Sequence, residues 1–434
     1  MAFSKDFLWG AASSAYQIEG GYNEDGKGLH IWDVLSAGKI RRGEDGNVAC
    51  DHYHRFKEDV KLMREIGLKS YRFSVSWARI FPDETGRVNE KGLRFYSNLL
   101  DELLKAGIEP ILTLYHWDLP MWLHEKGGWK WEGISDAFEV YAKTIAEAFS
   151  DRVSYWLTLN EPQCFVGLGY LKGIHAPFEK YGDLKMIAKN VMLSHGKAVK
   201  AIRERAKRSV KIGYSPTSSC CIPTEKFTEA ECRKKIFSDM TVTGDAFWSD
   251  PIVLGIVPEA LKGVLSGADL KIIRQPLDFY GYNVYQALNY SEDENGGHQK
   301  PPAPGMPQTS IGWWISPDVL YWTSKFLYER YKLPIMVVEN GMANCDFVME
   351  DGKVHDPQRV DYVRRYLKAL KKATDDGVEV IGYQYWSLLD NIEWAEGYDK
   401  RFGLVYVDYA TQERILKDSA YEYKKIIAQN GENL

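Results

Sequence analysis

"SYWLTLNEP", residues 154–162, runs from aromatic, apolar and β-branched residues into an amide, a carboxylate and a proline. The apolar part, Tyr155 to Leu159, has the length and composition of a buried strand, and Pro162 stops it. Asn160 and Glu161 therefore sit at the end of that strand. A carboxylate there costs solvation free energy unless a charge or a hydrogen-bond donor meets it. "PIMVVENG", residues 334–341, repeats the pattern: an apolar run, then Glu339, then Asn and Gly as turn residues.

Working outward, six further segments read as strands: 7–16, 70–77, 110–116, 211–216, 278–285 and 380–387. With 154–161 and 334–340 they make eight. Between them the apolar spacing is helical. Phe56, Val60, Met63 and Ile66 share one face, as do Leu93, Tyr96, Leu100 and Leu104, and Gly67 and Gly107 close those two helices. Similar patterns cover about 135–150, 184–207, 318–331 and 357–376.

Parallel neighbours need long helical returns, which are right-handed, so this alternation predicts a parallel sheet. Eight units predict an α/β fold of the closed (β/α)8 TIM barrel type, a single catalytic domain over 1–434 with elaborated loops at its C-terminal face. The alternative, an open doubly wound sheet, would carry a nucleotide loop after its first strand, where this chain has "SSAYQIEGG". "GLGYLKG" (167–173) lacks the spacing of a phosphate loop and reads as a turn. The polar, Pro/Gly-rich stretch 291–310 reads as a long loop after strand six, either a surface excursion or a wall of the barrel entrance. In a closed barrel, strands four and seven deliver Glu161 and Glu339 to one mouth.

Composition narrows the function. The chain has 45% hydrophobic and 26% charged residues and a net charge of −5, with no basic block, so nucleic acid is not an expected partner. No apolar run is long enough for a membrane span, and the start has no signal-peptide pattern. Six cysteines without a CxxC pair read as reduced thiols, and the expected location is cytoplasmic. "DHYHRF" (51–56) and His124-Glu125 lack zinc-motif spacing, so no metal is expected.

Two carboxyls in one concave site suit glycosidic bond cleavage, where one protonates the leaving oxygen and the other attacks or stabilises the sugar carbon. They need unequal pKa values. Arg72, between Tyr71 and Phe73, is the cation expected to hold one of them ionised. Aromatics that follow strands, including Trp117, Trp313, Trp386 and Trp394, supply flat faces for a pyranose.

At these residues the chain resembles glycoside hydrolase family 1, the retaining β-glycosidases. "FLWGAASSAYQIEG", "YRFSVSW", "LYHWDLP", "LTLNEP", "ENG" and "WSLLDNIEWAEGYDKRFGL" occur in the family's order across nearly the whole chain. The resemblance implies that Glu161 is the general acid/base and Glu339 the nucleophile. It implies that Gln17, His116, Asn160, Glu393 and Trp394 bind sugar hydroxyls, that Trp386 is a stacking platform, and that Arg72 and Tyr285 contact the nucleophile. Trp313 and Tyr285 are placed with the substrate-binding set, and no cofactor is implied. The chain departs from the family in having Val338 before Glu339, where threonine is common, and Gln163 after Pro162, where tryptophan is common. Glu393 and Glu396 would repel a phosphorylated sugar. The expected activity is hydrolysis of terminal β-D-glucosyl, or galactosyl or fucosyl, residues of small β-glycosides. A transglycosylase and an inactive sugar-binding barrel are the alternatives.

Overall fold

The computed structural model describes residues 2–225, 227–288, 290–291, 298–299 and 304–434. Its frame is a ring of eight parallel strands: β1 (Leu8–Ala12), β2 (Ser70–Ser74), β3 (Glu109–Tyr115), β4 (Tyr155–Asn160), β5 (Lys211–Ser215), β6 (Tyr280–Asn283), β7 (Ile335–Asn340) and β8 (Val380–Trp386). The continuous ladder runs β5-β4-β3-β2-β1-β8-β7-β6. The ring closes between β5 and β6 through their flanks. Asp278 N donates to Ile212 O (2.9 Å) at the bottom, and Asn283 N to Pro216 O (2.9 Å) and Ser218 N to Asn283 O (2.8 Å) at the top. Gly281 permits this approach, since a Cβ there would lie 2.8 Å from the carbonyl oxygen of Tyr214. All eight predicted strands are present.

Helices α1 (His52–Ile66), α2 (Glu90–Lys105), α3 (Ile134–Phe149), α4 (Lys185–Arg205), α5 (Glu229–Ile236), α6 (Gly267–Ile273), α7 (Val319–Tyr331), α8 (Pro357–Asp375) and α9 (Asp418–Ala428) surround the ring. α2 shows why such segments fold as they do. The Asn89 side chain caps it by accepting from Lys91 N, and Phe95, Tyr96, Leu99, Leu100 and Leu103 form its buried stripe. Leu104, expected on that stripe, stays exposed at its edge. α1 ends at Gly67 in the left-handed conformation (φ 85°), as its sequence predicts. None of these helices is long and apolar enough to cross a membrane.

Four readings change. The segment 7–16 is a strand only to Ala12; Ala15–Ile18 is a helical turn, started by Ala15 N donating to Ser74 Oγ (2.8 Å). Likewise 70–77 leaves the sheet after Ser74 and Trp77–Ile80 turns helical. "GLGYLKG" is helical rather than a turn: Gly167–Lys172 is a wide π-type helix continuing Pro162–Val166. Its Gly169 serves close packing, since a Cβ would lie 2.7 Å from Ala176 O. In 291–310, Tyr290–Ser291 pairs antiparallel with His298–Gln299; 292–297 and 300–303 lie outside the described residues. Helices α5, α6 and α9 lie outside the helical segments that the sequence predicts, although the Ser266/Asp269 capping box is a legible start for α6.

The interior of the ring below the site is filled by Ile111, Leu157, Phe279, Met336 and Val338, packed by Leu8, Tyr155 and Ile381. Each such buried side chain contributes about 1.5–3 kcal/mol. This floor separates the C-terminal mouth from the opposite end of the ring.

Candidate active site

Strict alternation along β7 would not aim Glu339 inward. Met336 and Val338 face the ring interior, while Ile335 and Val337 pack outward. The register then slips. β6 pairs Tyr282 with Val337 but Asn283 with Glu339, and β8 pairs Tyr383 with Val337 but Tyr385 with Asn340. One extra residue in β7 thus turns Glu339 into the mouth and sends Asn340 outward, where its amide donates to Val284 O (2.7 Å) and Tyr362 Oη (3.0 Å). β4 does the same: Leu157 pairs with Gly213, but Asn160 with Ser215. Glu161 follows in the left-handed region (φ 47°), its N–H held by Ser215 O at 2.7 Å. Trp117 (φ 77°) and Trp394 (φ 46°) share that strained conformation, which a non-glycine residue keeps only where its surroundings enforce it.

Arg72, fully buried on β2, uses its whole fork. Nε donates to Thr113 Oγ1 (3.1 Å), Nη1 to Val338 O (3.0 Å) and Glu339 Oε1 (2.5 Å), and Nη2 to Asn160 Oδ1 (2.7 Å). Tyr285 Oη donates to the other Glu339 oxygen at 2.7 Å. Asn283 Nδ2 donates to Glu161 Oε1 at 2.7 Å and also contacts the Glu339 carboxylate. Asn160 Nδ2 donates to His116 Nε2 (3.1 Å), which places the imidazole proton on Nδ1 by the logic of the network. That buried Nδ1 has no partner among the described residues and is left for a ligand acceptor.

Above these groups lies a cavity of about 590 Å³. Its lining includes nine of the ten candidates other than Arg72: Glu161, Glu339, His116, Asn160, Tyr285, Trp313, Trp386, Glu393 and Trp394. The His116 ring lies parallel to Trp386 (5.8 Å, 17°) and Trp394 (5.9 Å, 14°). Gln17 is not on the wall. It is buried behind Glu393, donating to Ile392 O (2.9 Å), Asn391 Oδ1 (3.0 Å) and Glu393 Oε2 (3.5 Å). Arg72 likewise acts from beneath the floor. Asn283 and Ser215 are contributions that the sequence reading missed. Asn283 ends strand six as Glu161 and Glu339 end theirs, and that parallel was the available signal.

The two central carboxyls have unequal environments. Burial pushes Glu161 up to about 7, aided by the nearby Glu339 charge and opposed by the Asn283 amide. Burial also raises Glu339, but Arg72 and the Tyr285 hydroxyl pull it back, so Glu161 is the partner that keeps its proton. Glu393 reaches about 8 through burial and the charges of Glu339, Glu161 and Glu396. Burial, then Arg72, holds His116 far below the ordinary histidine range, so it stays neutral. Among the described residues the wall carries no lysine or arginine. Among the described residues no group of three or more His, Cys, Asp or Glu side chains is arranged to hold a metal ion.

Residues 1–432 match the sequence profile of glycosyl hydrolase family 1. The chain is 45% identical to β-glucosidase A of Acetivibrio thermocellus, with 99% of each chain covered. It is 38% identical to a bifunctional β-D-glucosidase/β-D-fucosidase of Bifidobacterium breve, again with 99% of each covered. In three dimensions it is similar to a β-glucosidase from Thermotoga maritima in complex with deoxynojirimycin, with TM-score 0.91, 41% identity and 99% of each chain covered.

Proposed function

The chain belongs to glycosyl hydrolase family 1, and on that footing we propose that it is an exo-acting, retaining β-glucosidase working as one catalytic unit over 1–434. It removes terminal non-reducing β-D-glucosyl residues from cellobiose, short oligosaccharides and aryl or alkyl glucosides. β-Fucosides and β-galactosides are secondary substrates, a breadth that the name of the Bifidobacterium breve relative supports for the fucoside.

One observation carries the reading: two buried carboxyls joined through Asn283, one paired with Arg72 and Tyr285, the other left protonated by burial. Glu339 attacks the anomeric carbon as a carboxylate while Glu161 gives its proton to the departing oxygen. Loss of the Glu339 charge on glycosylation lowers the Glu161 pKa, because that charge is one of the causes that raise it. Glu161 then takes a proton from the water that releases the sugar. His116, Asn160, Glu393 and Trp394 hold the sugar's hydroxyls over the Trp386 face, with Gln17 orienting Glu393 from behind. Trp313 closes the wall beside Tyr285, with ring centroids 4.8 Å apart. A wall with four carboxyls and no cation among its described residues favours a neutral sugar over a 6-phosphorylated one. A cytoplasmic setting belongs to the proposal, supported by six cysteines that are all free thiols.

The test is stereochemical and kinetic. NMR of the first product should show β-glucose before mutarotation, and inversion would overturn the mechanism. Glu339→Gln should lose turnover on every glycoside. Glu161→Ala should spare dinitrophenyl glucoside, whose leaving group needs little protonation, at least about 10²-fold more than cellobiose. Equal losses on both substrates would remove Glu161 from the acid role.

A further inference from the structure

The wall segment Trp394–Asp399 is a helical turn that is kinked at Gly397 and begins in a strained conformation. Glu393 and Trp394 line the cavity at its inner end; its outer end meets the loop 41–45. Glu44 Oε2 accepts from Tyr398 N (2.8 Å), and Asp45 O accepts from Tyr398 Oη (2.7 Å). Arg42 Nε donates to Glu44 Oε1 (3.1 Å), and its two terminal nitrogens grip both oxygens of Asp399. Arg41 Nε reaches Asp399 Oδ2 (2.8 Å), and its Nη1 lies 3.6 Å from Glu396 Oε2.

Two features set this cluster apart from ordinary surface ion pairs, which contribute little one at a time. Gly397 adopts φ 64° and ψ −144°, a region essentially reserved for glycine, and a Cβ there would lie 1.9 Å from Glu44 Oε2. The two loops are thus built to interlock. The same 41–46 loop also reaches the site through Tyr16: Gly46 N donates to the Tyr16 hydroxyl (3.2 Å), and the Tyr16 ring stacks on Trp394 (5.8 Å, 24°).

We propose that Arg41, Arg42 and Glu44 form a charged clasp of positioning residues that holds the segment carrying Glu393 and Trp394 against the sugar. The clasp rests on the β-glucosidase reading above. Because it touches no reacting atom, it acts on binding. Arg41 also balances the Glu396 carboxylate, which would otherwise crowd Glu393 with a further uncompensated negative charge.

The test compares Arg42→Ala, Glu44→Ala and the triple Arg41→Ala/Arg42→Ala/Glu44→Ala variant with wild type on aryl β-glucoside and cellobiose. KM and the inhibition constant for glucose should rise together, about three- to tenfold in the triple variant, with kcat within about twofold. Glu44→Gln, which keeps an acceptor for Tyr398 N, should recover most of the Glu44→Ala loss. Sodium chloride at 1 M, where charges are screened within about 3 Å, should raise the wild-type KM toward that of the triple variant and leave the triple variant unmoved. An unchanged KM in the triple variant, or a fall in kcat alone, overturns the clasp. Wild-type protein inactive on every β-glucoside would instead overturn the functional reading. Wild-type activity with KM raised by Glu393→Gln but not by the clasp variants leaves that reading standing and removes the clasp.

Discussion

Replacing Asn283 with alanine removes the amide that Glu161 Oε1 accepts from at 2.7 Å and that also contacts Glu339. A hydrogen bond to a charged group contributes about 1.5–3 kcal/mol and one to a neutral group about 0.5–1.5 kcal/mol, so the carboxylate form loses about 1–1.5 kcal/mol more than the acid form. At 1.36 kcal/mol per tenfold change in proton affinity, this moves the Glu161 titration upward by roughly one pH unit from its value of about 7. Glu339 moves in the same direction, because Asn283 lowers its proton affinity too. The profile of kcat/KM against pH reports the free enzyme's acid and base groups. Measured from pH 4 to 10 on p-nitrophenyl β-D-glucoside, the bell should shift toward alkaline pH, both limbs together. Its height should fall as well, since Asn283 also steadies Asn160 Oδ1 at 3.1 Å. An alkaline limb that stays in place or moves down would refute the assignment of that limb to Glu161.

Arg72→Met should cut kcat/KM by at least about 10²-fold, because breaking a buried ion pair costs about 3–5 kcal/mol and Glu339 escapes that cost by taking a proton; activity above a tenth of wild type at any pH would contradict this. Gly341→Ala should lower the melting temperature by about 1–3 °C and raise KM, since its Cβ would lie 1.8 Å from Trp386 O and overpacking of this kind costs about 1–3 kcal/mol. Calorimetry and kinetics on one preparation check both effects.

The barrel and its two glutamates were legible because their signals are local: apolar runs of strand length, helical spacing between them, and glycines closing helices. The sequence pattern extends the strands too far at 7–16 and 70–77, where Ser74 Oγ accepts from Ala15 N and the Tyr96 hydroxyl from Ser76 N, contacts remote in sequence that redirect the chain. The inward aim of Glu339 was reached by counting strands, and the cause, an extra residue in β7, depends on pairing with both neighbours, which a single strand's pattern does not encode. Gln17 illustrates the opposite limit. Its motif marks it as part of the site, yet only the fold shows that it stands behind Glu393 rather than on the wall. Asn283 stayed hidden among aromatic residues because an asparagine at a strand end reads first as turn chemistry.

The closure between β5 and β6 is the one meridian of the ring that the continuous ladder does not span, and it lies beside the carboxyl pair: Asn283 and Ser215 both belong to it and both reach Asn160. A sugar lodged between Asn160 and the far side of the mouth therefore acts as a rivet across that meridian. Occupancy and resistance to splaying become one property, so tight-binding inhibitors double as folding stabilisers, and wear during prolonged heating should begin where the empty enzyme does its work.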